Sequence, residues 1–214
     1  MNKIKIVLLV NLLFYASSVL YCQTSIKAKE LLDETSLKIS TYQNYQFNFK
    51  YVLENSQEDI RQETTGKIFV SKEKYKLSTS DVTQLFDGKD LYTIIHENEE
   101  VLITKPDQKD DLILNPTKLI ELYKSGYDFH WDIAQNVRGN NIQFVKLIPT
   151  EENLDVSYIL LGINTKTKNI YKLIEVGKQR TSTTFTIENF INNSNISINF
   201  FDFKKEEYQG YYIN

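Results

Sequence analysis

The segment YQFNFKYVL, residues 45–53, limits what this chain can fold into more than any other stretch. Aromatic and aliphatic side chains stand at every second position from Tyr45 to Leu53, and polar side chains fill the positions between them, apart from Val52. Successive side chains of a β-strand point to opposite faces, so the pattern predicts a strand with one aromatic and one polar face. The aromatic face must cover either a packed core or a cavity for an apolar ligand, and the strand alone leaves both interpretations open.

The first 22 residues have the composition of an export signal. Lys3 and Lys5 precede a short apolar run, which small and polar residues follow. A basic start, an apolar centre and a small residue at the cleavage site are typical of a secretory signal peptide, and the run is short for a membrane span. We therefore expect residues 1–22 to be removed and residues 23–214 to form the exported protein.

Cys22 is the only cysteine of the chain, and it permits two interpretations of the cleavage site. Either cleavage falls between Cys22 and Gln23, or Cys22 becomes the lipidated first residue of a lipoprotein. Lipoprotein signals need a small residue before the cysteine, so the bulky Tyr21 favours simple cleavage. Neither interpretation permits a disulfide within the chain, and a hydrophobic core must therefore provide the stability.

Short apolar segments separated by turn residues predict an antiparallel meander of about eleven strands. Asp87-Gly88 lies between two of these segments and is a strong hairpin signal, because glycine accepts the positive φ of the turn. No linker or internal repeat divides the chain, so we predict one mainly β domain over residues 23–214. The predicted strands are 45–53, 65–71, 74–79, 82–86, 90–96, 100–104, 127–133, 142–148, 156–163, 170–176 and 181–190.

Two helices accompany the predicted strands. In the first, over residues 25–39, apolar and small residues recur at helical spacing, so one side of the helix should face the sheet. These residues are Ala28, Leu31, Leu32, Thr35, Ile39 and Tyr42. The second helix begins at Asn115-Pro116, with Asn115 as the N-cap, and ends at Gly126. Its apolar side chains, at Leu119, Ile120, Leu122 and Tyr123, would pack over the sheet.

The sequence offers no arrangement of side chains that is typical of catalysis or metal binding. The histidines, His96 and His130, lack the spacing of metal ligands relative to Cys, Asp or Glu. The carboxylates at 107, 110 and 111 form a charged loop without the pattern of a calcium loop. A formal charge of -3 and the absence of a basic block argue against nucleic acid as a partner. We expect no cofactor and no metal.

A curled sheet of about eleven strands encloses more space than side chains readily fill. One interpretation is a closed core with the two helices at its ends. The other is a half-open barrel whose inner face binds acyl chains, with the second helix as a movable lid. Apolar contact alone would suffice for such binding, at about 0.8 kcal/mol for each buried CH₂ group. The residue pattern leaves both interpretations open.

Several short motifs, in their order along the chain, resemble those of the LolA family of periplasmic lipoprotein carriers. They follow the first helix and extend over nearly the whole mature chain: Phe47-Asn48-Phe49, Gly66-Lys67-Ile68-Phe69-Val70, Leu85-Phe86-Asp87-Gly88-Lys89-Asp90-Leu91-Tyr92, Asn115-Pro116 with Leu119, Leu147-Ile148-Pro149 and Phe200-Phe201-Asp202-Phe203. Residues 203–210 are most similar to the version found in Bacteroidetes-type bacteria. The chain departs from the proteobacterial carriers at Lys72-Glu73, where those carriers have arginine followed by proline.

The resemblance implies an unclosed antiparallel β-barrel, with an N-terminal helix and a lid helix that cover an apolar cavity. It also implies a monomeric carrier, without cofactor or catalysis, that takes the acyl chains of triacylated lipoproteins across the periplasm to the outer membrane. An inner-membrane lipoprotein-releasing transporter would load this carrier, and an outer-membrane receptor would unload it. A lipid- or lipoprotein-sensing module without transfer activity, or a cofactor-free enzyme, would suit the same fold and remain alternatives.

On this interpretation, the lipid-binding surface combines the aromatic strand with the inner sides of other strands and of the lid. The expected lipid-binding residues are Phe47, Phe49, Tyr51, Ile68, Val70, Leu77, Tyr92, Ile94, Trp131, Leu119, Leu122 and Tyr123. Phe49→Asp should then abolish acyl binding. Lys72 occupies the position at which the family has an arginine that helps to hold the lid and hand over cargo. Lysine keeps the positive charge but lacks the planar guanidinium group with its several hydrogen-bond donors.

Overall fold

The computed structural model describes residues 25–105, 124, 126–151 and 155–214, which form one helix and one curved β-sheet. Helix α1 spans residues 25–40 of this part of the chain. A short 3-10 helix, Lys205–Tyr208, precedes the last strand. The strands are β1 (Tyr45–Asn55), β2 (Ile60–Ser71), β3 (Lys74–Ser78), β4 (Val82–Phe86), β5 (Leu91–Ile95), β6 (Glu100–Thr104), β7 (Tyr127–Val137), β8 (Asn140–Pro149), β9 (Val156–Asn164), β10 (Ile170–Gly177), β11 (Thr181–Asn192) and β12 (Tyr212–Ile213).

The strands lie in the order β12-β6-β5-β4-β3-β2-β1-β11-β10-β9-β8-β7. Every neighbouring pair is antiparallel except β12 with β6. Among the described residues, β7 and β12 are the two edges, so the sheet is not closed. The prediction of an unclosed antiparallel barrel with an N-terminal helix is confirmed. The twelfth strand, which the sequence does not predict, is the two-residue β12.

One face of the sheet, the inner face, carries Phe47 and packs against α1. The helix residues predicted to face the sheet are buried, namely Ala28, Leu31, Leu32, Thr35 and Ile39. The Thr35 hydroxyl donates a hydrogen bond of 2.8 Å to the Leu31 carbonyl, so the single polar side chain of this row has a partner. The helical spacing in the sequence therefore identifies the contact side of α1 correctly.

The sheet curls around α1. Five strands separate β3 from β8, so a flat sheet would hold these two strands about 29 Å apart, at about 4.8 Å for each strand spacing. Tyr75 and Leu77 of β3 nevertheless belong to the same hydrophobic cluster as Val145 and Leu147 of β8, together with the buried side chains of α1. The helix therefore occupies the concave side of the sheet.

The C-terminal tail, residues 193–214, covers the outer face of strands β2 to β6. Phe200 packs on Phe69 with ring centroids 4.8 Å apart, and Phe203 stacks on Tyr92 at 4.4 Å. The end of the tail then forms β12 beside the edge strand β6. The tail is thus a second cover, on the opposite face from α1.

The hairpin turns follow the local sequence. Gly88 has a φ of 97°, and the Asp87 carboxylate accepts hydrogen bonds of 2.8 Å from the backbone N–H groups of Lys89 and Asp90. The Asp87-Gly88 hairpin prediction is therefore confirmed. The β1–β2 hairpin is longer than predicted, because pairing continues to Asn55 and Ile60 across a turn at residues 56–59.

Some predictions fall outside the described residues. The export signal at residues 1–22 is one of them, and it includes the cleavage site at Cys22. Most of the second predicted helix is another, with its lid residues Leu119, Leu122 and Tyr123.

Candidate functional site

The inner face is arranged in rows, because residues that pair across neighbouring antiparallel strands have side chains on the same face. One row of paired residues, which we name the aromatic row, runs across the sheet from β1 through β11, β10, β9 and β8 to β7. Its members are Tyr51, Phe185, Leu173, Leu161, Val145 and Trp131. The four central side chains are at most 2% exposed, whereas Tyr51 is half-buried and Trp131 is 36% exposed. The row is an apolar floor with an accessible aromatic side chain at each end.

A bulge in β7 positions the Trp131 end of the aromatic row. The pairing of β7 with β8 shifts between Trp131 and Ala134. The buried Gln143 amide donates hydrogen bonds to the Asp132 carbonyl at 2.6 Å and to the Phe144 carbonyl at 2.8 Å, which satisfies backbone groups at the irregularity. Bulges re-aim side chains near functional sites, and sequence alternation alone does not locate them.

The next row of the inner face, one step closer to the β1–β2 turn, contains a carboxylate. Glu175 of β10 is paired with Ile159 and Thr183, so its side chain lies among buried residues of the inner face. Burial raises the pKa of the Glu175 carboxyl. Burial also raises the pKa of the Tyr127 hydroxyl, and the Glu175 carboxylate raises it further. Glu175 and Tyr127 are therefore neighbours on this part of the inner face.

The sequence analysis missed Glu175, and its strand explains why. In the segment IYKLIEV, Ile170, Ile174 and Val176 alternate as if they formed the buried side. The pairing of β10 with β9 shifts between Ile170 and Lys172, and this irregularity turns Leu173 and Glu175 toward the inner face. The inward position of Glu175 therefore follows from the pairing register of β10 with β9, which the amino-acid sequence alone does not reveal.

Five of the predicted lipid-binding residues come together on the inner face, but they are packed under α1. Phe47, Phe49, Ile68, Val70 and Leu77 are each at most 4% exposed and belong to the cluster that contains the helix. The Phe49 ring stacks on Phe185 at 5.0 Å and lies so close to Gly66 that a Cβ there would approach Phe49 Cζ to 2.5 Å. A ligand would reach these side chains only if α1 moved. Phe49→Asp would therefore report on folding and not on binding alone.

The placement of Tyr92 and Ile94 on the inner face is wrong. The pairings Phe47–Ile68, Ile68–Leu77, Leu77–Gln84 and Gln84–Thr93 put Thr93 on the inner face. The neighbours of Thr93 on β5, Tyr92 and Ile94, must then point outward, where Tyr92 stacks on Phe203 and Ile94 is fully buried. The β5 segment LYTII is apolar at both parities, so alternation cannot assign its faces.

Lys72 lies away from the inner face, in the turn between β2 and β3, where it is exposed and has a φ of 56°. It lines a cavity of about 490 Å³ together with residues of the tail, among them Ile198 and Phe201. A second cavity, of about 540 Å³, opens at the same end of the sheet and includes Arg138, Asn169 and Phe190. Neither cavity includes Tyr51 or Trp131.

The described residues show no group of three or more His, Cys, Asp or Glu side chains placed to hold a metal ion. His96 has a neutral neighbour, since its Nε2 lies 3.0 Å from the Thr83 hydroxyl. In the same part of the chain, no helix combines the length and the apolar character that a membrane crossing requires. The described part of the inner face therefore offers mainly apolar and aromatic contact, with the carboxylates of Glu175 and, near the edge, Glu100 among its polar groups.

Comparison with known proteins gives one family and several similar folds. The sequence model of the family described as outer membrane lipoprotein carrier protein LolA matches residues 19–178. No curated protein matches the chain.

Among solved structures, an uncharacterized conserved protein from Thermus thermophilus is 8% identical with a TM-score of 0.60, and the match covers 88% of this chain and 98% of that chain. LprF from Mycobacterium bovis is 12% identical with a TM-score of 0.52, over 82% of this chain and 97% of that chain. MucB is 15% identical with a TM-score of 0.53, over 85% of this chain and 64% of that chain. At such identities these structural matches establish the fold alone.

Proposed function

The chain belongs to the LolA family of outer membrane lipoprotein carrier proteins, and on this premise we propose that it shields the acyl chains of lipoproteins on their way to the outer membrane. The observation that carries the proposal is the aromatic row. Its buried floor spans four strands and ends in aromatic side chains, Tyr51 and Trp131, that remain partly exposed. Phe129, which precedes Trp131 on the same face of β7, adds a further half-buried ring.

Apolar contact of this kind suits a cargo that must be bound and later released. Each CH₂ group removed from water contributes about 0.8 kcal/mol, so an acyl chain of about ten buried carbons gains several kcal/mol without a directional contact. Aromatic rings add a large contact area at a small cost in side-chain entropy. We expect no covalent step and therefore no enzyme activity.

The cellular setting is part of the same proposal. The signal-peptide pattern of residues 1–22 directs the chain to the periplasm, where triacylated lipoproteins are its cargo. A lipoprotein-releasing transporter of the inner membrane loads the carrier, which acts as a monomer, and an outer-membrane receptor receives the cargo. Lys72, exposed in the β2–β3 turn, remains the candidate contact for handover.

The experiment is native mass spectrometry of the mature protein, purified without detergent, with and without a triacylated lipopeptide. We expect a one-to-one complex in the wild-type protein. Trp131→Glu places a charge at the accessible end of the aromatic row and should weaken binding at least tenfold. Ile198→Glu is the matched control, because Ile198 is 93% exposed and lies in the tail.

Two results would contradict the proposal in different ways. A wild-type protein that ignores the lipopeptide would overturn the carrier function. Equal binding by the folded Trp131→Glu and Ile198→Glu variants would leave the function intact and refute the assignment of the aromatic row as its surface.

A further inference from the structure

The cavity of about 540 Å³ at the end of the sheet has a lining unlike that of the aromatic row. Three segments form it, namely the β7–β8 turn, the β9–β10 turn and the end of β11. None of the six residues of the aromatic row is among its lining residues. Sites for small molecules have volumes of roughly 300–1,000 Å³. The cavity is therefore large enough for a small ligand and separate from the proposed acyl-binding surface.

Two irregularities of the sheet meet at this cavity. The pairing of β10 with β9 shifts between Ile170 and Lys172. Asn189 of β11 has a φ of 50°, close to the point where the pairing of β11 with β1 also shifts. Ile170, Tyr171 and Asn189 all line the cavity. Bulges re-aim side chains and are frequent next to functional sites, and here two neighbouring strands leave regular pairing beside one cavity.

Asparagine side chains form much of the polar lining, at positions 140, 164, 169 and 189. The Asn164 amide donates a hydrogen bond of 3.2 Å to Asn140 Oδ1, and the Tyr42 hydroxyl donates one of 2.9 Å to Asn169 Oδ1. These bonds orient three of the four amides. A carboxamide has both N–H donors and acceptor lone pairs. The lining therefore suits a ligand whose polar groups both donate and accept hydrogen bonds, as hydroxyl groups do.

The charged and aromatic residues narrow the class of ligand further. Arg138 and Glu188 are the charged residues of the lining, so their formal charges cancel. Tyr171 and Phe190 add half-buried aromatic rings, whose negative faces attract C–H groups. An acyl chain would remove water from the amides without replacing its hydrogen bonds. A saccharide has hydroxyl groups around its ring and C–H groups on its faces, so it matches both parts of the lining.

We propose that this cavity binds a neutral saccharide through the Asn189 amide and the Tyr171 ring. The site is additional to the acyl-binding surface, so the inference goes beyond the proposed function and does not depend on it. Uncharged saccharides are preferred over acidic ones, since an anionic group would lie close to the Glu188 carboxylate as well as to Arg138.

The test is a glycan array that carries neutral, N-acetylated and acidic oligosaccharides, followed by isothermal titration calorimetry with the strongest ligand. We expect wild-type protein to bind uncharged members of the array. Asn189→Gly removes the amide and keeps the backbone, because glycine readily adopts a φ of 50°, and it should weaken binding at least fivefold. Asn193→Gly is the matched control, since Asn193 has a φ of 51° and lies outside the cavity, and its affinity should stay within twofold of wild type.

A second pair of variants tests the aromatic ring. Tyr171→Ala should also weaken binding at least fivefold. Tyr158→Ala is its control, because both tyrosines are half-buried and have a lysine ammonium group over the ring, but Tyr158 does not line the cavity. Thermal melts of all four variants establish that each is folded at the temperature of the titration.

The outcomes separate this inference from the proposed function. A wild-type protein that binds no member of the array, or that prefers the acidic members, refutes the saccharide site. Equal affinities in the cavity variants and their controls refute it as well. If Asn189→Gly and Tyr171→Ala instead lose the triacylated lipopeptide, the cavity binds the peptide part of the cargo, which also overturns the inference. A protein that binds saccharide but ignores the lipopeptide would support this site while the carrier function fails.

Discussion

The two faces of the sheet are covered by opposite ends of the chain, and the covers are built differently. On the inner face, α1 inserts small and aliphatic side chains between strands that lie far apart in the sheet. On the outer face, the tail lays aromatic rings flat on the strands, and Tyr208 extends the Tyr92–Phe203 stack at 5.3 Å from Phe203. The helix therefore fills the concave side of the curved sheet, whereas the tail covers part of its outer face.

The tail also closes an edge of the sheet. The backbone N–H of Tyr212 donates to the Glu99 carbonyl at 2.8 Å, and the N–H of Ile103 donates to the Asn214 carbonyl at 2.9 Å. Exposed strand edges invite pairing with other chains, and this pairing removes one such edge at β6. The inner cover leaves Tyr51 and Trp131 partly exposed. Among the described residues, the outer face under the tail therefore serves stability, whereas the inner face keeps partly exposed aromatic side chains at both ends of the aromatic row.

Removing the outer cover should have the largest effect. A chain that ends at Ile198 loses Phe200, Phe201 and Phe203 from the outer face as well as β12. We expect the free energy of unfolding to fall by about 3.5–7 kcal/mol, at about 1.5–3 kcal/mol for the buried Phe201 and about 1–2 kcal/mol for each of the half-buried Phe200 and Phe203. The freed β6 edge should also promote self-association. Urea denaturation and light scattering measure both effects, and a truncated protein that stays monomeric with wild-type stability would contradict the role of the tail.

Single truncations of one aromatic ring on each face would sharpen the comparison. Phe49→Ala removes a ring that is 3% exposed and packed between Phe185 and Gly66, so it should cost about 3–5 kcal/mol. Phe203→Ala removes a half-buried ring of the tail and should cost about 1–2 kcal/mol. Urea denaturation of both variants gives the difference directly. Equal losses would mean that the two covers contribute alike at these positions.

The smallest expected effect concerns Glu175 and depends on pH. Because the pKa of Glu175 is raised in the folded state, the contribution of this side chain to stability is fully present below the ordinary carboxyl value of 4.5 and is lost as pH rises through the folded-state pKa. Glu175→Gln lacks the titration, so it should melt higher than wild-type protein at pH 7. Because the Glu175 side chain is partly exposed and water screens its charge, the rise in melting temperature should be small.

Thermal melts at pH 4 and pH 7 check the sign of this effect. The difference between Glu175→Gln and wild-type protein should shrink at pH 4, where the carboxyl of the folded protein is protonated. Glu188→Gln, on the exposed outer face, should show no such change between the two pH values. A Glu175→Gln protein that melts lower than wild type at pH 7 would show that the carboxylate has a stabilising partner.

Val52 shows where strand alternation stops being informative. The pattern of residues 45–53 places Val52 on the polar face of β1, yet its side chain is only 7% exposed. It is paired with Glu63, which forms salt bridges with Lys50 at 2.5 Å and with Arg61 at 3.3 Å. The apolar stems of such long side chains cover neighbouring surface while their charges stay in water. The face is therefore polar, as predicted, but it still buries one apolar residue.

The amino-acid sequence by itself determined helix α1, strands β1 to β11 and the family. The helical spacing from Ala28 to Ile39 identified the buried side of α1, Asp87-Gly88 specified its hairpin, and the alternation from Tyr45 to Phe49 identified a buried aromatic face. These features depend on local backbone geometry and on short periodicities, which a sequence records directly.

Only the tertiary structure decided which apolar residues share a surface. The inner face is covered by α1 and the outer face of β2 to β6 by the tail, so both faces carry buried apolar side chains, and alternation cannot tell one side from the other. Strand register settled the matter by turning Tyr92 and Ile94 outward and Glu175 inward. Register depends on pairing between distant segments and on bulges, because a shift of one residue exchanges the two faces of a strand.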